Sequence, residues 1–303
     1  MSRRLLVVGA GTMGSQIALQ AAVSDVDVTL VDISQVELDR ARSEVESILT
    51  RRVDKGRIVS QAAEEMKQRL RFRSNMTEAA TDADWAIEAV VERLDVKRDV
   101  FRQLDAVMPP HAGLATNSSS IVSSRLAGAT NRPDKCLNMH FFHPATVMDL
   151  CEIVVGRHTS KATLREAIGW SERIGRTPVV LEVEIDSFVV NRILGAASRE
   201  AFSLVHKGVA APADVDTAVR HGLRWPLGPF QLADLSGLDV MLEVRRERYK
   251  RERDERDAQS AALLERLVNI GRLGRKSGQG FYDYTESPPV PLPLPEGSDR
   301  TSP

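Results

Sequence analysis

The chain has 303 residues, 42% of them hydrophobic, and a formal charge of -1 from 41 basic and 42 acidic side chains. That length and apolar content suffice for one large or two ordinary globular domains. The charge balance excludes a global field that would draw the protein onto nucleic acid or an anionic membrane. No apolar run approaches the roughly 20 residues of a membrane span, and a first strand beginning at Leu5 leaves no room for a leader. Two cysteines, Cys136 and Cys151, fit reduced thiols rather than a disulfide framework. The expected location is the cytoplasm.

Taken in chain order, residues 4–34 read as a buried strand, a glycine turn, a helix and a second strand ending in Asp32, one βαβ unit. Residues 36–70 have helical spacing and high charge, broken near Lys55 and Gly56, which predicts two antiparallel helices projecting from a sheet. Strands recur at Trp85 to Val91, Gly113 to Thr116, Lys135 to Phe142 and Cys151 to Val155, with helical stretches at Leu94 to Val107 and Ser120 to Gly128. That rhythm predicts an α/β fold with a doubly wound, Rossmann-type sheet. A last strand-like run, Thr177 to Asp186, leads into a long apolar-periodic helix, and everything from Phe188 to about Arg272 reads helical.

The expected division is an α/β cofactor-binding domain over residues 1–185, an all-α substrate and dimerisation domain over 186–285, and a disordered proline-rich tail over 286–303. Residues 244–257 carry seven basic and five acidic side chains and read as a solvated helix face, not a nucleic-acid patch.

GAGTMG, Gly9 to Gly14, is informative through its context: it follows a strand, opens a helix, and is answered by Asp32 at the end of the next strand. Gly9 allows the tight turn, Gly11 admits a pyrophosphate to the backbone, and Gly14 lets helix and sheet approach, with Thr12 and Met13 completing the cofactor contacts. A carboxylate at position 32 accepts hydrogen bonds from ribose hydroxyls and repels a 2′-phosphate, and Ile33-Ser34-Gln35 offers no arginine for one. The expected cofactor is NAD rather than NADP.

Polar residues sit where an open α/β sheet places ligands, at strand ends: Glu92, Asn117, Ser119, His140 and Glu152. Oxidising an alcohol requires a base for the hydroxyl proton, and histidine suits that task near neutrality, with a carboxylate to fix its tautomer. A metal site is not expected. His140 and His143, three apart on a strand, point to opposite faces, and no third ligand has convincing spacing.

From about Arg4 to Tyr284 the sequence resembles the short-chain L-3-hydroxyacyl-CoA dehydrogenases, including the 3-hydroxybutyryl-CoA dehydrogenases. The matching motifs are GAGTMG, EAVVERLDVK (88–97), ATNSSS (115–120), HFFHP with CEIVVG (140–156), SFVVNRIL (187–194), GPFQLADLSGLD (228–239) and GRKSGQGFYDY (274–284). The resemblance implies reversible NAD-dependent oxidation of an L-3-hydroxyacyl-CoA of short or medium chain, by a monofunctional homodimer.

It implies His140 as base, Glu152 as the acid that orients it, and Ser119 and Asn191 beside the reacting oxygen. Glu92, Lys97, Asn117, Ser119, His143 and Lys276 fall on the cofactor side. Lys55 is implied in binding coenzyme A, with Arg51, Arg52 and Arg57 adding charge. His143 departs from the family pattern, in which asparagine gives HFFNP. Two rival readings stay open: a dehydrogenase of a 3-hydroxy acid not joined to coenzyme A, and a catalytically weak NAD-binding structural protein.

Overall fold

The computed structural model describes residues 4–295 and divides after Val189 into two compact units. The first is built on an eight-stranded sheet. In chain order it runs β1 (Arg4–Val8), α1 (Thr12–Val23), β2 (Asp27–Val31), α2 (Gln35–Asp54), α3 (Ser60–Arg69), β3 (Leu70–Arg73), α4 (Met76–Ala80), β4 (Trp85–Glu88), α5 (Leu94–Val107), β5 (Gly113–Thr116), α6 (Ser124–Ala127), β6 (Cys136–Phe141), β7 (Leu150–Val154), α7 (Lys161–Arg173) and β8 (Thr177–Leu181). The strand order is β3-β2-β1-β4-β5-β6-β7-β8, and every pairing is parallel except β6 with β7.

Two-residue alternation explains the layers. In β1, Leu5 and Val7 join one apolar cluster with α1 and α2, while Leu6 and Val8 join another with α5. A strand covered on both faces reads as an unbroken apolar run, which LLVV, Leu5 to Val8, is. The expected helix pair is present as α2 and α3; α2 buries Leu38, Ala41, Val45 and Leu49, spaced three and four apart, and leaves its charged side outward.

Two elements differ from the sequence reading. Leu70, taken as the last residue of a helix, instead opens edge strand β3 with residues 71–73, which the sequence reading left unassigned; Leu70 is buried, and Arg71 and Arg73 are exposed. The stretch from Ser120 to Gly128, expected as a helix, keeps one turn, α6: the side chains of Asn117, Ser118 and Ser120 bond to Phe141 and Glu92, and Asn138 holds the Ser118 and Ile121 carbonyls. Both cysteines are buried and free, and burial pushes each thiol up to about 12.

Helix α8 (Phe188–His206) has its first two residues in the first unit and the rest in the second, which continues with α9 (Pro212–Gly222), α10 (Pro229–Ser236), α11 (Leu238–Glu252), α12 (Glu255–Asn269) and a two-stranded ribbon, β9 (Tyr282–Asp283) with β10 (Val290–Pro291). Part of the tail expected to be disordered is therefore ordered by pairing, Leu294 packs on the helical core, and residues 296–303 lie outside the described residues. That core centres on Phe202, Phe230 and Phe281, whose ring centroids lie 4.8 to 5.7 Å apart. Among the described residues no helix is long and apolar enough to cross a membrane.

Two buried aspartates tie this unit together. Asp216 on α9 accepts from the N–H groups of Phe230 and Gln231, at 2.8 and 2.9 Å, and from the Tyr282 hydroxyl. It thereby caps α10, whose own N-cap, Gly228, has no side chain to do so. Asp234 accepts from the N–H groups of Phe281 and Tyr282 and from the Tyr284 hydroxyl.

Burial pushes the Asp234 carboxyl up from 3.8 to about 6 against the pull of those donors. A folded-state value above the unfolded one makes this contribution to stability complete below the unfolded value and lost as pH rises through about 6, a change on the order of 3 kcal/mol. Urea melts of wild type and Asp234→Asn should show it. The wild-type advantage should shrink by that amount between pH 4 and 7, and a pH-independent difference would refute the assignment.

Candidate active site

The glycine turn lies between β1 and α1. Gly9 has φ 107°, and a Cβ there would meet the Ala89 carbonyl oxygen at 2.6 Å; a Cβ on Gly14 would meet the Gly9 oxygen at 1.8 Å. Only glycine allows this approach. A Cβ on Gly11, by contrast, would meet nothing within 4 Å. Gly11 is the N-cap of the twelve-residue α1, with no side-chain cap and no acid in the first turn. An uncapped, acid-free helix start facing open space fits a pyrophosphate.

Asp32, just past β2, accepts from the Ala10 N–H at 2.8 Å and the Ser34 N–H at 2.9 Å, one oxygen each. The carboxylate is thus fixed against the turn, and each oxygen keeps a lone pair for a ribose hydroxyl. These residues fit NAD.

Further along the sheet, antiparallel β6 and β7 set His140 directly opposite Glu152. Directly opposed residues in such a ladder share a face, and His140 Nδ1 lies 2.9 Å from Glu152 Oε2, with the residues 6% and 0% exposed. The other Glu152 oxygen accepts from the Val189 N–H at 3.0 Å. Phe142 meets the imidazole edge-on at 4.5 Å between centroids, and Phe188 lies at 5.4 Å.

Between turn and dyad runs a hydrogen-bonded network over the ends of β4 and β5. Glu88 accepts from Lys97 Nζ, the Thr116 hydroxyl and the Val90 N–H, each at 2.7 Å. Burial raises its carboxyl above the usual range against the opposing pull of Lys97. Ser118 donates to Glu92 and accepts from the Ile121 N–H, and Ser120 also donates to Glu92. Burial works against ionisation of Glu92, yet those hydroxyls and Lys97 together hold its carboxyl below the usual range. Asn138 ties the same loop to β6, donating to Ser118 and Ile121 carbonyls.

Several expected residues land differently from one another. Ser119 is half-buried, and its hydroxyl has no partner among the described residues. Asn117 is turned inward, its side-chain oxygen accepting from the Phe141 N–H at 2.9 Å. His143 and Lys55 are exposed. Lys97, expected on the cofactor side, is 1% exposed, and its ammonium contacts Glu88, Glu92 and the Val90 carbonyl. With three acceptors for three N–H donors, it has none left for a ligand.

Arg51 and Arg52 end α2 beside Lys55, and Arg52 is held below the usual arginine range by burial and then by Arg57. In the second unit Asn191 lies half-buried on α8, and Lys276 makes a two-pronged bond to Asp239, at 2.5 and 2.6 Å. Among the described residues no group of three or more His, Cys, Asp or Glu could hold a metal.

Sequence reasoning missed Glu88, Thr116, Ser118 and Asn138. Only one of them left a signal. Lys97 shares its helical spacing with the buried Phe101 and Leu104, which marks it for the interior and requires a buried carboxylate such as Glu88 nearby.

The sheet order, the glycine turn and the strand-end dyad define a nicotinamide-dependent dehydrogenase. The family model of the 3-hydroxyacyl-CoA dehydrogenase NAD-binding domain matches residues 4–185, and that of the C-terminal domain matches residues 188–284. A probable 3-hydroxybutyryl-CoA dehydrogenase of Deinococcus radiodurans is 38% identical over 92% of this chain and 99% of its own. The 3-hydroxybutyryl-CoA dehydrogenase of Clostridioides difficile is 38% identical over 93% and 100%. A crystal structure of (S)-3-hydroxybutyryl-CoA dehydrogenase from Ralstonia eutropha superposes with a TM-score of 0.84 at 35% identity, covering 94% of this chain and all of that one. The chain belongs to the 3-hydroxyacyl-CoA dehydrogenase family, NAD-dependent enzymes that oxidise 3-hydroxyacyl-CoA.

Two substitutions probe the site. Gly14→Ala should force the turn open and lower NAD affinity at least about a hundredfold in calorimetry, with the sheet's circular dichroism retained. Lys97→Met should leave Glu88 buried without its cation, at a cost of about 3–5 kcal/mol in denaturant unfolding. Adding Glu88→Gln should restore most of that loss.

Proposed function

We propose that the protein oxidises short or medium L-3-hydroxyacyl-CoA thioesters reversibly, with His140 as the base at the reacting hydroxyl. NAD, when bound, supplies the hydride acceptor. A carboxylate accepts but does not donate, so Glu152 favours the tautomer with the proton on Nδ1 and leaves Nε2 to receive the hydroxyl proton. As C3 gives up its hydride, the imidazole becomes imidazolium, and the negative charge 2.9 Å away stabilises it. In the reverse direction the same nitrogen returns the proton. The buried His140–Glu152 pair is the observation that carries this reading.

The remaining assignments rest on the resemblance to the family's motifs. Ser119, with its hydroxyl uncommitted, serves substrate and cofactor near the reacting carbon, and Asn191 serves the substrate oxygen. Gly9, Gly11, Thr12, Met13 and Gly14 hold the pyrophosphate, Asp32 the ribose, and Glu92, His143 and Lys276 further cofactor contacts. Asn117 and Lys97 act through others: Asn117 fixes the β6 end, and Lys97 fixes the Glu92 loop. Lys55, with Arg51, Arg52 and Arg57, gives coenzyme A phosphates a local positive surface on a chain whose net charge is only -1. A cytoplasmic homodimer paired through the helical unit completes the proposal.

Purified protein with acetoacetyl-CoA and NADH should consume NADH, and free acetoacetate or NADPH should support far less turnover. His140→Gln should lower kcat by about three orders of magnitude with NAD affinity nearly unchanged. Absence of turnover with every thioester tried on folded protein would end this reading.

A further inference from the structure

Ser187 and Phe188 are successive non-glycine residues with positive φ, 63° and 53°. Side chains disfavour that region, and two in a row persist only where the surroundings over-determine them. Here the surroundings are the dyad itself. Phe188 is fully buried in a small apolar cluster with Val154 and Leu181, and its ring lies 5.4 Å from the His140 ring at 59°. The next residue, Val189, gives its N–H to Glu152 Oε1.

We propose that Phe188, aimed by this left-handed pair, is a positioning residue for His140 and Glu152, an inference that rests on His140 being the proton acceptor. The bond from Nδ1 to Glu152 fixes one atom of the imidazole and leaves the ring free to swing about that contact. Phe142 borders the ring from the half-exposed loop after β6, and Phe188 borders it from the interior. The same turn directs the Val189 N–H to Glu152 Oε1, and His140 Nδ1 meets Oε2. One strained dipeptide thus orients both members of the pair. Relaxing either φ to a negative value would redirect the chain and remove both contacts together.

The test is steady-state reduction of acetoacetyl-CoA with NADH across pH, comparing wild type, Phe188→Leu, Phe188→Met and Leu181→Ala. The last removes packing from the same apolar cluster without touching the imidazole. The leucine variant, or the methionine variant if leucine does not fold, should lose about ten-fold or more in kcat. KM for both reactants should stay within about two-fold, and the pH midpoint of kcat should move, because Glu152 and the ring would no longer hold the imidazole in one environment. Leu181→Ala should lower Tm with kcat and midpoint unchanged. Wild-type kcat and midpoint in the Phe188 variants, or the same kcat loss in Leu181→Ala, overturns the inference. His140→Gln run alongside separates the two readings. If it retains turnover, the role of His140 fails and this inference with it; if it is inactive while the Phe188 variants match wild type, only this inference fails.

Discussion

Everything at the reacting centre depends on the register of one antiparallel strand pair. β6 joins the sheet parallel to β5, and β7 runs back against it so that His140 faces Glu152. Along β6 the parity is strict: Leu137, Met139 and Phe141 feed the apolar cluster shared with α1, and Asn138 and His140 face the other way. A slip of one residue would bury the imidazole in the core and turn Met139 toward the ligand side. Core packing therefore selects the same register that the chemistry requires, and a folded sheet already contains an assembled dyad.

Around that pair the protein spends polar groups on holding other polar groups still. Asn117 secures the β6 end, Asn138 the serine loop, and Lys97 the end of β4 and Glu92 beyond it. None of these contacts adds much stability. A buried ion pair such as Lys97–Glu88 roughly offsets its own desolvation, so its return is directional: loops at the ends of three strands are fixed relative to one another before any ligand arrives.

Much of this was legible in the sequence because local patterns carried it. The glycine turn with Asp32, the apolar run of β1, the helix pair and the His140–Glu152 couple each announce themselves within a few residues or through a recognisable motif. What escaped depends on tertiary placement. β3 escaped because LRFR, four residues long, alternates too briefly to be read as a strand. Ser118 could not be separated from Ser119 and Ser120 by type, only by which hydroxyl meets Glu92. Asn117 and Lys97 read as ligand contacts from position and resemblance, yet the side chains are committed inward, and the helical stripe from Lys97 through Phe101 to Leu104 was the overlooked clue. In the helical unit, the aspartates that gather the C-terminal segment span 14 to 66 residues of chain, beyond any local pattern.

The burial of Lys97 also bears on its chemical reactivity. An amine attacks an acylating agent only when it is deprotonated and within reach, and a protein that handles activated thioesters meets such agents constantly. Lys55 stands exposed, Lys276 is exposed but bonded to Asp239, and Lys97 is closed off among three oxygen acceptors. Acyl transfer to the enzyme would fall on Lys55 before Lys276 and spare Lys97, leaving the loops that frame the reacting centre in place while the surface charge declines.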